Sequence, residues 1–243
     1  TEAVSASIAE YTEGKGYEIV SEQQGDILDE QATCEVIEKA VASLKESVDL
    51  SKEKAYKKPE FTSESDVLKD AVETLNRYVG TKITYQFGDD TVVLDGTRIN
   101  KWIKIKKDNT VKIRRNKVEK FVQELHRKYD TVFTNRKFKT AYGDTVTVYG
   151  GDYGWWMNTV KETDKLVKLI QKGAVKERTP EYRQTAVSYG DKDYGDTYAE
   201  VDLSGQHVFV VKNGKVVFDT ACVTGNESQG HATPAGTYGI TYK

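Results

Sequence analysis

The fold of this sequence is decided by residues 136–156, which read RKFKTAYGDTVTVYGGDYGWW. Residues 137–141 and 145–149 flank Tyr142-Gly143-Asp144, an arrangement typical of a β-hairpin. A glycine-rich segment comes directly after the hairpin, and a helix is predicted over 159–172, ended by Gly173. This stretch therefore combines antiparallel strands with a helix.

The same alternation continues towards the N-terminus. Helices are predicted near 30–45 with Asp29 as N-cap, from Thr62 or Ser63 onward with Ser63 and Asp66 as a capping box, and over 115–129 with Val118, Phe121, Val122 and Leu125 inward. Strands are predicted at 17–20, as a hairpin over 82–94, and around Val111 and Ile113. Helices that alternate with antiparallel hairpins predict the α+β class.

The C-terminal part differs, because helical periodicity stops after residue 180. Short strands are predicted over 198–203, 207–212 and 215–224, with Asn213-Gly214 as a two-residue hairpin turn. A further turn and strand are predicted over 230–242. The polar, glycine-rich residues 189–196 indicate a domain boundary near 190–197. The region after this boundary is shorter than a β domain normally needs, so we expect only the first strands of a β-rich domain.

Charge is balanced overall but uneven along the chain. The net charge of −2 excludes a globally basic nucleic-acid binder, and no apolar run reaches the ~18 residues of a membrane helix. Residues 98–128 carry 12 Lys and Arg against 3 acidic residues, whereas residues 1–66 carry 16 acidic against 7 basic residues. The basic block could meet an acidic polymer or be a solvated surface, and both interpretations remain open.

Cysteine and histidine usage argues against a metal site. Cys34 and Cys222 are expected to be buried thiols, and their pairing in a disulfide is left open. No CxxC motif occurs and the three histidines are far from either cysteine, so neither a metal nor a cofactor is expected. His126 is expected to be solvated. Since residue 1 is Thr and the one methionine is Met157, we expect a piece of a longer chain.

Two parts of the sequence resemble known families. Asp130-Thr131, Arg136, Phe138, Thr140, Gly143 and residues 150–155 resemble a peptidoglycan-binding domain that precedes the catalytic domain in a group of Gram-positive L,D-transpeptidases, over roughly residues 60–175. Tyr198, Glu200, Asp202-Leu203, Gln206, residues 213–215, residues 223–225, Thr233-Pro234 and Gly236 resemble the opening strands of a YkuD-type L,D-transpeptidase catalytic domain.

The resemblance implies three regions: residues 1–60 as the N-terminal portion of an α+β module, which could be duplicated, residues 60–195 as the peptidoglycan-binding domain, and residues 196–243 as the truncated start of the catalytic domain. The family forms cross-links by acyl transfer, in which a histidine-activated thiolate attacks a stem-peptide carbonyl. Its Ser/Thr-His-Gly-Cys motif does not occur here, so no catalytic residue is assigned and the chain by itself is expected to be inactive. Cys222 and His231 are not expected to replace that pair.

An aromatic cluster is the candidate ligand site. Sugar C–H faces pack on aromatic rings and hydroxyls need polar partners, so the residues predicted to bind peptidoglycan, through its glycan or its stem peptide, are Tyr149, Tyr153, Trp155 and Trp156 with Asp152 and Arg136. The competing interpretation is a tight turn with Trp155 in the core. If this segment is extended, Trp155 and Trp156 should point to opposite faces, so that one can be in the core and the other exposed.

The implied protein is extracellular and associated with the cell wall, and a membrane would be reached only through an N-terminal anchor outside this chain. No nucleic-acid partner is expected, and the sequence leaves the oligomeric state open. Two alternatives also remain: a rigid spacer domain of a surface protein that binds nothing, and a binder of anionic wall polymers through residues 98–128.

Overall fold

The computed structural model describes residues 1–241, and within them the chain is a mixed α+β fold, as predicted. The helices are α1 (Glu30–Ala42), α2 (Asp66–Val79), α3 (Gly96–Ile99), α4 (Arg115–Tyr129) and α5 (Thr159–Gln171). The strands are β1 (Ser7–Ile8), β2 (Ile19–Val20), β3 (Lys82–Phe87), β4 (Asp90–Leu94), β5 (Ile103–Ile105), β6 (Val111–Ile113), β7 (Arg136–Lys139), β8 (Thr145–Val148), β9 (Trp156–Met157), β10 (Val175–Arg178), β11 (Tyr182–Gln184), β12 (Tyr198–Asp202), β13 (His207–Lys212) and β14 (Lys215–Ala221).

These elements form small sheets with short connections. The sheets have the strand orders β1-β2, β10-β3-β4, β11-β9, β12-β13-β14, β5-β6 and β7-β8. The chain divides into two compact units. Unit 1 comprises Thr1–Lys82, Leu94–Arg114 and Lys168–Val175, and unit 2 comprises Ile83–Val93, Arg115–Val167 and the residues from Lys176 onward.

Unit 1 is built around α2. This helix buries Leu68, Ala71, Leu75 and Tyr78, and the Asn76 side chain exchanges two hydrogen bonds with the backbone of Tyr17, at 2.7 and 2.9 Å. The predicted start of the helix at Thr62 or Ser63 is wrong. The N-cap is Ser65, because the Ser63 amide donates instead to Glu22 and the Thr62 amide donates to the Ser65 hydroxyl.

Helix α1 shows that an apolar stripe does not guarantee burial. Asp29 is its N-cap as predicted and accepts a hydrogen bond from the Ala32 amide at 2.9 Å. No residue of the helix is buried, and Val41 is 68% exposed. The prediction of two buried thiols is wrong, because Cys34 lies on this uncovered helix and is exposed, and Cys222 is only half-buried. Both are free thiols.

Unit 2 contains the hairpins predicted over 82–94 and 137–149, and helix α4. Helix α4 buries Val118, Phe121, Val122 and Leu125, the set that the spacing predicts. The β7-β8 hairpin pairs Arg136 with Val148 and Lys139 with Thr145. Strands β10 and β11 were not predicted. They follow α5 and bring Arg178 to the buried Glu162 of that helix.

The strands of the C-terminal part are antiparallel, with β13 between β12 and β14. Asn213 and Gly214 both have positive φ, 51° and 73°, as the predicted two-residue turn requires. The strand predicted within 230–242 is absent from residues 230–241, and residue 242 lies outside the described residues. Thr237 instead pairs its backbone with Gly150 and Tyr153, away from the β12-β14 sheet.

No helix in residues 1–241 is long and apolar enough to cross a membrane.

Candidate functional site

Unit 2 carries a groove of about 720 Å³, which we call the 87–193 groove. It is formed by the turn between β3 and β4, the end of α4, the loop that leads into β7, and the loop before β12. The lining residues are Phe87, Asp89, Asp90, Lys128, Tyr129, Thr131, Thr134, Asn135, Arg136, Lys137, Tyr189, Gly190, Asp191 and Asp193.

Stacked aromatic rings support the groove. The ring centroids of Phe87 and Tyr129 are 3.7 Å apart with an interplanar angle of 3°. The ring centroids of Tyr189 and Trp155 are 4.1 Å apart with an interplanar angle of 10°. The Trp155 indole N–H donates to the Ser188 carbonyl at 2.8 Å, which holds the loop that carries Tyr189. Trp155 thus lies behind the groove as a buried support.

A buried ion pair forms the wall of the groove. Arg136 binds Asp193 in a bidentate arrangement, with N–O distances of 2.8 and 2.7 Å, and both side chains are almost fully buried. The remaining guanidinium donors reach the carbonyls of Thr131, Thr134 and Tyr153. Arg136 therefore holds three loops together, and its nitrogens are engaged within the protein.

The rim of the groove presents charges of both signs. The Lys128 Nζ lies 3.8 Å from Asp90 Oδ2 and donates a hydrogen bond to the Tyr129 hydroxyl. Lys137, Asp89 and Asp191 make no ion pair within residues 1–241, and all three are exposed. The rim therefore offers an ammonium group and two carboxylates to a ligand.

A second aromatic feature combines Phe133, on the loop that forms one side of the groove, with the half-buried Trp156 of β9. Trp156 packs against Phe133 in a T-shaped pair at 5.5 Å, and the Arg183 guanidinium lies 5.2 Å from the Trp156 ring centroid. Phe133 is 59% exposed and has a φ of 61°, which a bulky residue rarely adopts. We call these two rings the Phe133–Trp156 patch.

The other predicted ligand residues have separate positions. Tyr149 is 65% exposed and Asp152 is exposed. Tyr153 is half-buried, and its hydroxyl accepts from the Val187 amide and donates to the Asp193 carbonyl. Only Arg136 of the six predicted residues lines the groove. That these six residues bind a ligand stays a prediction.

Comparison with known families is consistent with this architecture. Residues 61–178 match the family described as "Putative peptidoglycan binding domain", and residues 196–243 match the L,D-transpeptidase catalytic domain of the YkuD type. The chain thus combines a match to a peptidoglycan-binding domain with a match to a YkuD-type L,D-transpeptidase catalytic domain. No curated protein sequence matches it.

Two solved structures resemble this chain. One is the avibactam carbamoyl enzyme of Ldtfm, which is 32% identical with a TM-score of 0.52 over 70% of this chain and 65% of that one. The other is a cysteine-to-serine mutant of the Enterococcus faecium L,D-transpeptidase, 32% identical with a TM-score of 0.51 over 69% of this chain and 66% of that one. The chain thus spans slightly less than two thirds of each relative.

Within the peptidoglycan-binding match, the structure contains a polar pair that the sequence did not indicate. His126 was expected to be solvated, but its Nδ1 lies 2.7 Å from Asp130 Oδ2, which also accepts from the Met157 amide at 2.7 Å. Burial raises the pKa of Asp130. His126 and Asp130 are four residues apart, at the end of α4 and just after it, and this spacing could have indicated the contact.

In the transpeptidase match, Cys222 and His231 make no hydrogen bond to each other among the described residues. The Cys222 amide donates to the Gln206 carbonyl, and His231 lies exposed on a loop. No cluster of three or more His, Cys, Asp or Glu residues within residues 1–241 could hold a metal ion.

Proposed function

We propose that this L,D-transpeptidase chain binds peptidoglycan through unit 2, with the 87–193 groove and the Phe133–Trp156 patch as the contact surface. The observation that carries the proposal is the groove itself, which is lined mostly by residues of the peptidoglycan-binding match and is bordered by unpaired charges of both signs. The protein then acts in the cell wall, outside the membrane.

The chemistry of the two features suits the two components of peptidoglycan. Stem peptides carry carboxylates and an amino group, which Lys137 on one side and Asp89 or Asp191 on the other would bind. Sugar rings present C–H faces that pack on aromatic rings, and the Phe133–Trp156 patch offers the exposed Phe133 ring beside the half-buried Trp156. Tyr149 and Asp152 are exposed and remain candidates for the glycan.

The activity of the whole protein is part of the proposal. Members of the family cross-link stem peptides by acyl transfer to a neighbouring amine, and the match of residues 196–243 supports the same reaction here. A peptidoglycan-binding unit before the catalytic domain would raise the local concentration of stem peptides.

Co-sedimentation with purified sacculi tests the binding. We expect the chain to be retained, and we expect Lys137→Ala to reduce retention several-fold because it removes the free ammonium at the rim. Lys139→Ala is the matched control, since Lys139 is exposed on the same strand but does not line the groove. Trp156→Ala should reduce retention independently. No retention of the unmodified chain on sacculi would refute the proposal.

The same assay separates the alternatives. A binder of anionic polymers through residues 98–128 would lose binding steeply with salt and would be insensitive to Trp156→Ala. Part of that basic block is already neutralised, because Arg115 pairs with Glu119 and Asp164 and Lys128 pairs with Asp90. A rigid spacer would show no retention at any salt concentration.

A further inference from the structure

The glycine-rich segment 150–154 makes close backbone contacts with the loop 233–238. The Thr237 amide donates to the Gly150 carbonyl at 3.2 Å, and the Tyr153 amide donates to the Thr237 carbonyl at 3.0 Å. A Cβ on Gly151 would overlap the backbone of Thr237, and a Cβ on Gly236 would lie 2.8 Å from the Gly151 nitrogen. The two segments therefore fit together only because both contain glycine at the point of contact.

The conformations of these glycines reinforce this conclusion. Gly150, Gly151 and Gly236 have φ values of 75°, 89° and 151°, in the region that L side chains rarely adopt. A Cβ on Gly150 would nonetheless meet no atom within 4 Å. Position 150 thus requires glycine only because of its positive φ. Position 151 requires glycine both because of its positive φ and because a side chain would collide with the Thr237 backbone.

A second contact lies at the turn of the β7-β8 hairpin. The buried Glu200 carboxylate on β12 accepts hydrogen bonds from the Ala141 amide at 2.9 and 3.1 Å. The Tyr142 ring lies 5.1 Å from Phe209 on β13 in a T-shaped pair. Phe138 packs against Tyr198 in the same way, at 5.4 Å.

We infer that residues 138–153 are a docking seat for the transpeptidase segment (residues 196–243), which they hold by the hairpin turn at one end and by the glycine contact at the other. Both partners lie in unit 2. This inference rests on the proposed function, because the seat then fixes the orientation of the catalytic domain relative to the peptidoglycan-binding surface. The glycines in this segment then serve an intramolecular contact, while the Trp156 side chain remains available to a ligand.

Hydrogen exchange of single amides tests the seat. We expect Gly151→Ala to accelerate exchange of the Thr237 and Tyr153 amides at least tenfold, because the added methyl group separates the two backbones. Gly150→Ala is the matched control, since it places alanine at a similar φ with open space around it. It should leave Thr237 protected. Amides in α4 report whether unit 2 stays folded in both variants.

The same contact can be broken from the other side. Gly236→Ala should expose the same two amides, whereas Gly230→Ala, at a φ of 75° with no atom within 4 Å, should not. Equal exchange at Thr237 in Gly151→Ala and Gly150→Ala would overturn the docking seat. So would unchanged exchange at Tyr153 in a folded Gly236→Ala variant.

Binding to sacculi separates this inference from the proposed function. Gly151→Ala should keep its retention, because the segment does not line the groove. If the unmodified chain is not retained, the proposed function fails, and the exchange rates still decide whether the seat exists.

Discussion

Unit 2 contains two buried arginine–carboxylate pairs that differ in their surroundings. Arg178 and Glu162 lie beside the Tyr85 hydroxyl, and Glu162 also accepts from the Glu181 amide at 2.8 Å. Burial next to Glu162 raises the pKa of Tyr85 well above its ordinary value. Arg136 and Asp193 lie at the wall of the groove, where Arg136 also binds three backbone carbonyls on two further loops. The Arg178–Glu162 pair stabilises the core, whereas the Arg136–Asp193 pair holds the loops that form the groove.

The largest effect is expected from Glu162→Gln. The substitution leaves the Arg178 cation buried without its main counter-charge, and breaking a buried pair in this way costs about 3–5 kcal/mol of unfolding free energy. Urea denaturation measures the loss. The control is Asp164→Asn, which breaks the solvent-screened pair with Arg115 and should cost far less. Equal losses in the two variants would contradict the assignment of Glu162 to the core.

Asp193→Asn should have a smaller effect on stability, about 2–3 kcal/mol, because Arg136 keeps its bonds to three carbonyl groups. Its effect on binding should be larger, since Asp193 anchors the loop that lines the groove. Co-sedimentation with sacculi, at a temperature where both variants are folded, should show reduced retention for Asp193→Asn and normal retention for Glu162→Gln. Equal retention of the two variants, or the reverse order, would contradict the distinction between the two pairs.

The smallest effect concerns Glu200, a buried carboxylate that accepts from a backbone amide instead of an arginine. Burial raises the pKa of Glu200 above the ordinary value of 4.5, so the folded state favours the protonated form. Stability from this group is therefore greatest below its unfolded-state pKa and is lost as pH rises through the folded-state pKa. Glu200→Gln removes the titration.

Thermal unfolding of the chain and of Glu200→Gln between about pH 4 and pH 7 measures this contribution. The unmodified chain should lose stability relative to the variant as pH rises. A relative gain would mean that Ala141 stabilises the ionised form more than burial destabilises it.

Local structure could be predicted from the sequence where the pattern and the packing agree. The buried face of α4 and the Asn213-Gly214 turn were both predicted correctly. Helix α1 has a comparable apolar pattern and a correctly predicted N-cap, yet it buries no residue. Periodicity identifies the face of a helix, whereas burial also needs an element that covers it.

The candidate site could be predicted only in part. Arg136 was singled out with the aromatic cluster, but its partner Asp193 lies 57 residues away in a segment that was interpreted as a polar boundary. Lys137 and Tyr189 were missed because no local spacing links them to the groove. Their common position depends on how four separated segments pack.

The sequence by itself determined part of the local structure, namely the hairpins, the Asp29 cap of α1 and the Asn213-Gly214 turn. Turn and capping preferences depend on a few neighbouring residues, so they can be recognised in a short stretch of sequence. Only the tertiary structure decided which carboxylates are buried beside arginine and which glycine contacts a distant backbone. Burial and steric fit depend on residues tens of positions apart, and the energy of a buried charge depends on the partners that folding brings to it.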